Sequence, residues 1–142
     1  MNWFKAIRFR WLNIHPCSQA ISIITKEGEK YWIEIDERWP DEIYVLQNGK
    51  ACGLARMNWL EDQLELWDLF IFEKHRWHGL GTAFLQWLIS YARQKKTPRI
   101  WAIVSPEKGL DCSRVMDWYI RQGFHRESSQ GRTIVLDLNQ SE

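Results

Sequence analysis

The chain has 142 residues, enough for one domain with a substantial core. Apolar residues make up 45% and charged residues 26%, and nineteen basic against eighteen acidic side chains leave a net charge of +1, so no global basic surface points to a nucleic-acid partner. Cys17, Cys52 and Cys112 are odd in number and far apart, with no C-x-x-C. No apolar run reaches the ~20 residues of a membrane span. These features exclude a disulfide framework, a zinc site and a membrane helix, and they suit a reducing, cytoplasmic setting.

In chain order, the first half reads as strands. "MNWFKAIRFRWL" alternates charged and apolar residues, so it lacks the apolar core of a signal peptide. Its "AIRFRW" is a strand pattern, and Lys5, Arg8 and Arg10 read as a solvated strand face. "AISIIT" and "YWIEID" are β-rich runs separated by Lys26-Glu27-Gly28-Glu29-Lys30. Residues 14–40 therefore lean to a hairpin, although Pro16 and Gly28 would also bracket a helix. "EIYVLQ" meets Asn48-Gly49, a strong hairpin signal, and "ACGLARMNW" returns. "LELWDLFIF" then alternates before it fades into a continuous apolar run, as in a strand buried on both faces.

The second half changes period. From Gly81 to Lys96, Phe84, Leu88 and Tyr91 share one helical face with Leu85, Ile89 and Ala92 beside them. Arg93, Lys95 and Lys96 suit the negative end of the helix dipole, and Thr97-Pro98 stops the helix. "RIWAIV" is a short buried strand. Asp111 or Ser113 caps a second helix that carries Val115, Met116, Tyr119 and Ile120 and ends at Gly123. "FHRE", a Ser128–Gly131 turn and "TIVLDL" close the chain as a hairpin. The class is mixed α/β. The ten tryptophans divide between core packing and a pocket or protein contact.

The chemistry concentrates at Arg76-Trp77-His78-Gly79-Leu80-Gly81, where a strand hands over to a helix. A helix N-terminus exposes unpaired N–H groups at the positive end of a dipole. Glycines there let an anion approach the backbone, so the amides of residues 77–82 are candidates to wrap a pyrophosphate. A dinucleotide fingerprint would need a third glycine where Phe84 stands. A P-loop would need lysine after Gly81, where Thr82 stands.

Arg76-x-x-Gly79-x-Gly81 resembles the R/Q-x-x-G-x-G/A signature of the GNAT superfamily of acyl-CoA-dependent N-acyltransferases. "WYIRQGF", residues 118–124, is similar to that family's segment after its second helix. The Asn48-Gly49-Lys50 hairpin with Gly53 resembles the family hairpin. The likeness runs from about residue 42 to residue 138. It implies a single domain over residues 1–142: a mixed, mostly antiparallel twisted sheet of six to seven strands flanked by helices.

By the same resemblance, acetyl-CoA is the acyl donor and an amine, small molecule or protein, the acceptor. Leu69, Phe70 and Ile71 would pair with the pantetheine arm, and the Ile71 amide would hold the thioester oxygen. Arg76, Trp77, His78, Gly79, Leu80, Gly81 and Thr82 would border the pyrophosphate, and Ser113 would stand beside the pantetheine. Tyr119 matches the tyrosine that protonates the departing thiolate.

Two departures stand against these matches. Cys112 occupies the place of a frequent asparagine, and Ile103 that of a glutamate base. Glu65 and Asp68 are the remaining carboxylate candidates for general base, with ordered water as a relay. The strand period puts them on opposite faces. The alternative is an inactive acyl-CoA-binding or protein-interaction module of the same fold. Monomer and homodimer are both compatible with the sequence.

Overall fold

The computed structural model describes residues 20–36, 38–105 and 111–138. The strand anticipated over residues 6–11 and the basic cluster Lys5, Arg8 and Arg10 lie outside them.

The described strands are β1 (Ala20–Ile24), β2 (Lys30–Ile35), β3 (Glu42–Gln47), β4 (Lys50–Trp59), β5 (Leu64–Ile71), β6 (Arg99–Ile103), β7 (His125–Arg126) and β8 (Thr133–Asp137). They form one sheet in the order β1-β2-β3-β4-β5-β6-β8-β7. Helix α1 (Leu80–Gln94) joins β5 to β6, and helix α2 (Cys112–Arg121) joins β6 to β7. The sheet therefore has eight strands rather than six to seven, and its mixed, mostly antiparallel character is as anticipated. Part of the surplus lies at its two ends. There β1 and β2 pair as an antiparallel hairpin, and the two-residue β7 pairs with β8.

The described residues divide into two compact units, one lying within residues 1–56 and 69–84 and the other within residues 57–68 and 85–142. In the first, local signals set the hairpins. Thr25 accepts from Gly28 and donates to Glu29 to close the β1–β2 turn. Asn48 (φ 52°) and Gly49 (φ 74°) adopt the paired left-handed conformations that a two-residue hairpin loop requires. Tyr31, Ile33, Ile43, Val45, Cys52 and Ala55 are buried. Gly53 matters for a different reason. A β-carbon there would lie 2.7 Å from the Phe70 carbonyl oxygen, so only glycine lets β4 approach β5 this closely.

In the second unit, β5 and β6 run parallel and pair only over Leu64–Leu66, with Leu66 opposite Ala102. Leu64, Leu66, Ile100, Ala102 and Ile134 fill the core. Leu85, Leu88, Ile89 and Ala92 of α1 are buried in turn, as the 3.6-residue period anticipates. The strand period breaks down, however. Beyond Leu66 the residues of β5 are partly or well exposed, not buried on both faces, because the ladder to β6 has stopped.

Helix α2 is bounded by two local devices. Asp111 is its N-cap, with Oδ1 accepting from the Ser113 N–H at 2.9 Å. At its end Gly123 sits at φ 107°, its N–H donating to the Ile120 carbonyl and that of Phe124 to Tyr119. This is a Schellman closure, completed by the Tyr119–Phe124 ring contact at 5.3 Å. Gly123→Ala should lower unfolding free energy by about 1 kcal/mol, the cost of holding a side chain in left-handed space. Urea denaturation would show it as a fall in midpoint at unchanged slope.

Candidate acyl-transfer site

The strand end and glycine loop of the first unit form one construction. A strand residue directs its N–H and C=O to the same side, and the next residue directs them to the other. The Phe70 carbonyl faces Gly53, and the Phe72 N–H donates to the Cys52 carbonyl at 2.8 Å, so both residues turn toward β4. Leu69 and Ile71 accordingly turn their backbone groups away from β4. The Ile71 carbonyl accepts from Arg76 Nε at 2.9 Å, and the guanidinium lies 5.5 Å from the Phe70 ring centre. Arg76 thus ties the loop back to the strand end.

Between them lies a 3-10 turn, Glu73–His75. Trp77 (φ 69°) and Gly79 (φ 81°) then adopt left-handed conformations on the way into α1. Gly79 opens α1, its carbonyl accepting from Ala83 at 3.1 Å. The first-turn N–H groups of Leu80, Gly81 and Thr82 consequently point off the helix end. Leu80 is buried and anchors the turn, whereas Trp77 is 78% exposed. His78 Nδ1 stands 3.6 Å from Glu27 Oε2 on the β1–β2 turn, and Thr25 and Lys26 border Gly79. Burial, followed by the Lys74 and His78 charges, lowers the His75 pKa, so its imidazole is neutral at physiological pH.

The second unit holds the titratable candidates. Tyr119 is buried on α2 between Trp118 and Phe124. Burial and then the Asp68 charge raise its pKa, so the phenol keeps its proton throughout the physiological range. Glu65 belongs to another arrangement. Its Oε1 accepts from Asn58 Nδ2 and Trp67 Nε1, both at 3.4 Å, and its Oε2 from Gln63 Nε2 at 3.3 Å. Ser113 is exposed at the start of α2, its amide already engaged by Asp111, and Ile103 is 49% exposed. Among the described residues no group of three or more His, Cys, Asp or Glu side chains is placed to hold a metal ion. No helix among them is long and apolar enough to cross a membrane.

The profile of the acetyltransferase (GNAT) family matches residues 10–124. The chain belongs to that family. Membership makes it an acyltransferase by class, and the solved structures it resembles share the fold. One is the ribosomal-protein-S18-alanine N-acetyltransferase from Escherichia coli. It is 19% identical over 71% of this chain and 70% of that one, with a TM-score of 0.58. The GNAT domain of S. lividans PAT is 11% identical over 84% of this chain and 97% of that one, at 0.65. The PaiA N-acetyltransferase from Thermoplasma acidophilum, solved with coenzyme A, is 12% identical. That match covers 68% of this chain and 59% of that one, at 0.57. No curated protein matches the chain.

Within this GNAT chain, the Y-x-x-x-G-F spacing has a local cause that sequence reasoning missed. Tyr119, Gly123 and Phe124 are the three positions a Schellman closure specifies, and the signal was legible in the glycine-aromatic pair. The Arg76 bond to Ile71 joins residues five apart through a side chain, and no propensity reports it.

The raised Tyr119 pKa has a consequence for stability. A buried neutral phenol contributes fully below the unfolded value of ~10 and loses that contribution as pH climbs toward the higher folded value. Unfolding free energy should therefore fall above pH ~10, by ~1.4 kcal/mol per pH unit for each such proton. Tyr44 behaves likewise, raised by burial and its 2.8 Å bond to Glu42. Urea titrations between about pH 9 and 11 should show a shallower decline in Tyr119→Phe than in the wild type.

Proposed function

We propose that this chain is a single-domain N-acetyltransferase that moves the acetyl group of acetyl-CoA to a primary amine by direct attack in a ternary complex. The observation that carries this reading is the open end of β5 running into the glycine loop. Backbone groups of Leu69 and Ile71 turn away from β4 where the β6 ladder has already ended, and left-handed Trp77 and Gly79 lead into the first-turn amides of α1. An extended ligand bearing amides suits the first feature, and a diphosphate suits the second. Pantetheine and pyrophosphate occur in that order in coenzyme A.

Leu69, Phe70 and Ile71 hold the pantetheine arm in this proposal, and the Ile71 N–H meets the thioester oxygen as negative charge develops on it. The amides of Trp77 through Thr82 take the diphosphate, and Ser113 borders the arm. Arg76 keeps the loop in place through the Ile71 carbonyl. The amine lone pair attacks the thioester carbon, the carbon–sulfur bond breaks, and Tyr119 gives its proton to the sulfur. The proton leaving the amine passes to Glu65 or Asp68, the two carboxylates of β5, directly or through water. The products are an N-acetyl amide and free coenzyme A.

A second reading rests on Ile103 and Cys112, which replace side chains with catalytic or pantetheine roles. It is an acyl-CoA-binding module without turnover. Release of free thiol from acetyl-CoA in the presence of an amine panel separates the two. Tight acetyl-CoA binding with no thiol release from any amine would establish the module.

Two variants test the machinery. Gly81→Trp should weaken acetyl-CoA binding at least ~10-fold by calorimetry, with the circular dichroism spectrum unchanged, because an indole would crowd the first-turn amides of α1. Tyr119→Phe should lower kcat by roughly 10- to 100-fold and leave acetyl-CoA affinity within ~2-fold, the pattern of a group used only in the chemical step. Equal turnover would return Tyr119 to helix closure alone.

A further inference from the structure

One face of the sheet in the second unit carries exposed apolar side chains beside carboxylates. Leu64, Leu66, Ile100 and Ala102 turn to the core, so Glu65, Trp67, Trp101 and Ile103 share the other face. Glu65 lies directly opposite Trp101, and Trp67 follows two residues along its own strand. Trp67 is 55% exposed and Ile103 49%, each one step past the last paired residue of its strand. Two carboxylates frame this patch. Glu65 accepts from the Trp67 indole, and Glu127 accepts from the Trp101 indole at 3.3 Å.

The donors to both carboxylates are neutral: Asn58, Gln63 and Trp67 for Glu65, and Trp101 for Glu127. Arg99 stands one step further off, its Nε bonded to Gln63 Oε1 at 2.9 Å. Four hydrogen bonds thus fix the two negative groups among indole rings without neutralising either. Carboxylate and aromatic ring faces both attract a cation, and an ordered frame forfeits little side-chain entropy on binding. Exposed tryptophan is a common anchor at protein contacts, and the carboxylates beside it suit a cationic side chain of the partner.

We propose that this face docks a basic, amphipathic peptide segment of a partner protein. A lysine or arginine seats at Glu65 and Glu127, and apolar neighbours cover Trp67 and Ile103. That the partner is also the acetyl acceptor rests on the acetyl-transfer reading; the docking itself does not.

Calorimetry with the full chain tests it, using a short peptide of alternating lysine and leucine, its glutamate–leucine counterpart, and spermidine. The basic peptide should bind, the acidic one should not, and spermidine should be at least ~10-fold weaker. Trp67→Ala and Glu127→Gln should each weaken peptide binding at least ~5-fold, and Ile103→Lys should abolish it by placing a like charge in the patch. Acetyl-CoA titration should be unchanged in all three, which also verifies that they fold. No peptide binding to the wild type, binding indifferent to these substitutions, or spermidine binding as tightly as the peptide would each overturn the proposal. Peptide binding that follows the substitutions in a chain that ignores acetyl-CoA would leave the docking surface standing and remove the acetyl-transfer reading.

Discussion

The ladder between β5 and β6 stops at Leu66 and Ala102 while β5 runs on to Ile71. Backbone amides and carbonyls left without partners carry a desolvation penalty whenever they are buried. A strand that outlasts its neighbour must therefore meet water, its own side chains or a ligand. Here the Ile71 carbonyl is met by Arg76, and Leu69, Phe70 and Ile71 remain half-buried. On its other side the strand is held firmly, because Gly53 admits the Phe70 carbonyl at a distance that any β-carbon would obstruct. One edge is fixed and the other available. A ligand with amides of its own can complete the edge without any rearrangement of the strand.

The glycine loop follows the same economy. In the proposed function its chemistry lies in backbone N–H groups, so its side chains would be constrained mainly by conformation. Trp77 shows the point. It adopts a left-handed φ of 69° that a bulky residue rarely takes, yet its indole is 78% exposed. What the position supplies is the direction of its amide. Recognition through the main chain would tolerate wide changes of side chain.

Elements set by neighbouring residues were legible in the sequence. Asn48-Gly49 specified its hairpin, the 3.6-residue period located α1, and Asp111 with Gly123 bounded α2. The turn from strand to helix was legible because two glycines stand at the start of a helical run. Other features depend on partners far along the chain. Where the β5–β6 ladder ends is decided by register with residues more than thirty positions away. An apolar run such as Leu69–Phe72 reads as fully buried whether or not that partner continues. The 3-10 turn at Glu73–His75 and the two-residue β7 are too short to leave a periodic trace. The carboxylate candidates fell between these cases. The alternation separating Glu65 from Asp68 was local and readable, but the company each keeps was not.

That company divides the chemistry of β5. Burial, and after it the charge of Asp68, raises the Tyr119 pKa and keeps the phenol neutral, while Glu65 is fastened among Asn58, Gln63 and Trp67. A raised phenol pKa would make a poor acid toward a thiolate in water. The comparison changes in a desolvated site, because burial raises a thiol for the same reason that it raises a phenol. Two neutral acids that suffer the same loss of solvent stay closer in proton affinity than either is to its value in bulk. In the proposed reaction a buried tyrosine is then a workable donor to a sulfur leaving in the same medium, because burial keeps its proton in place.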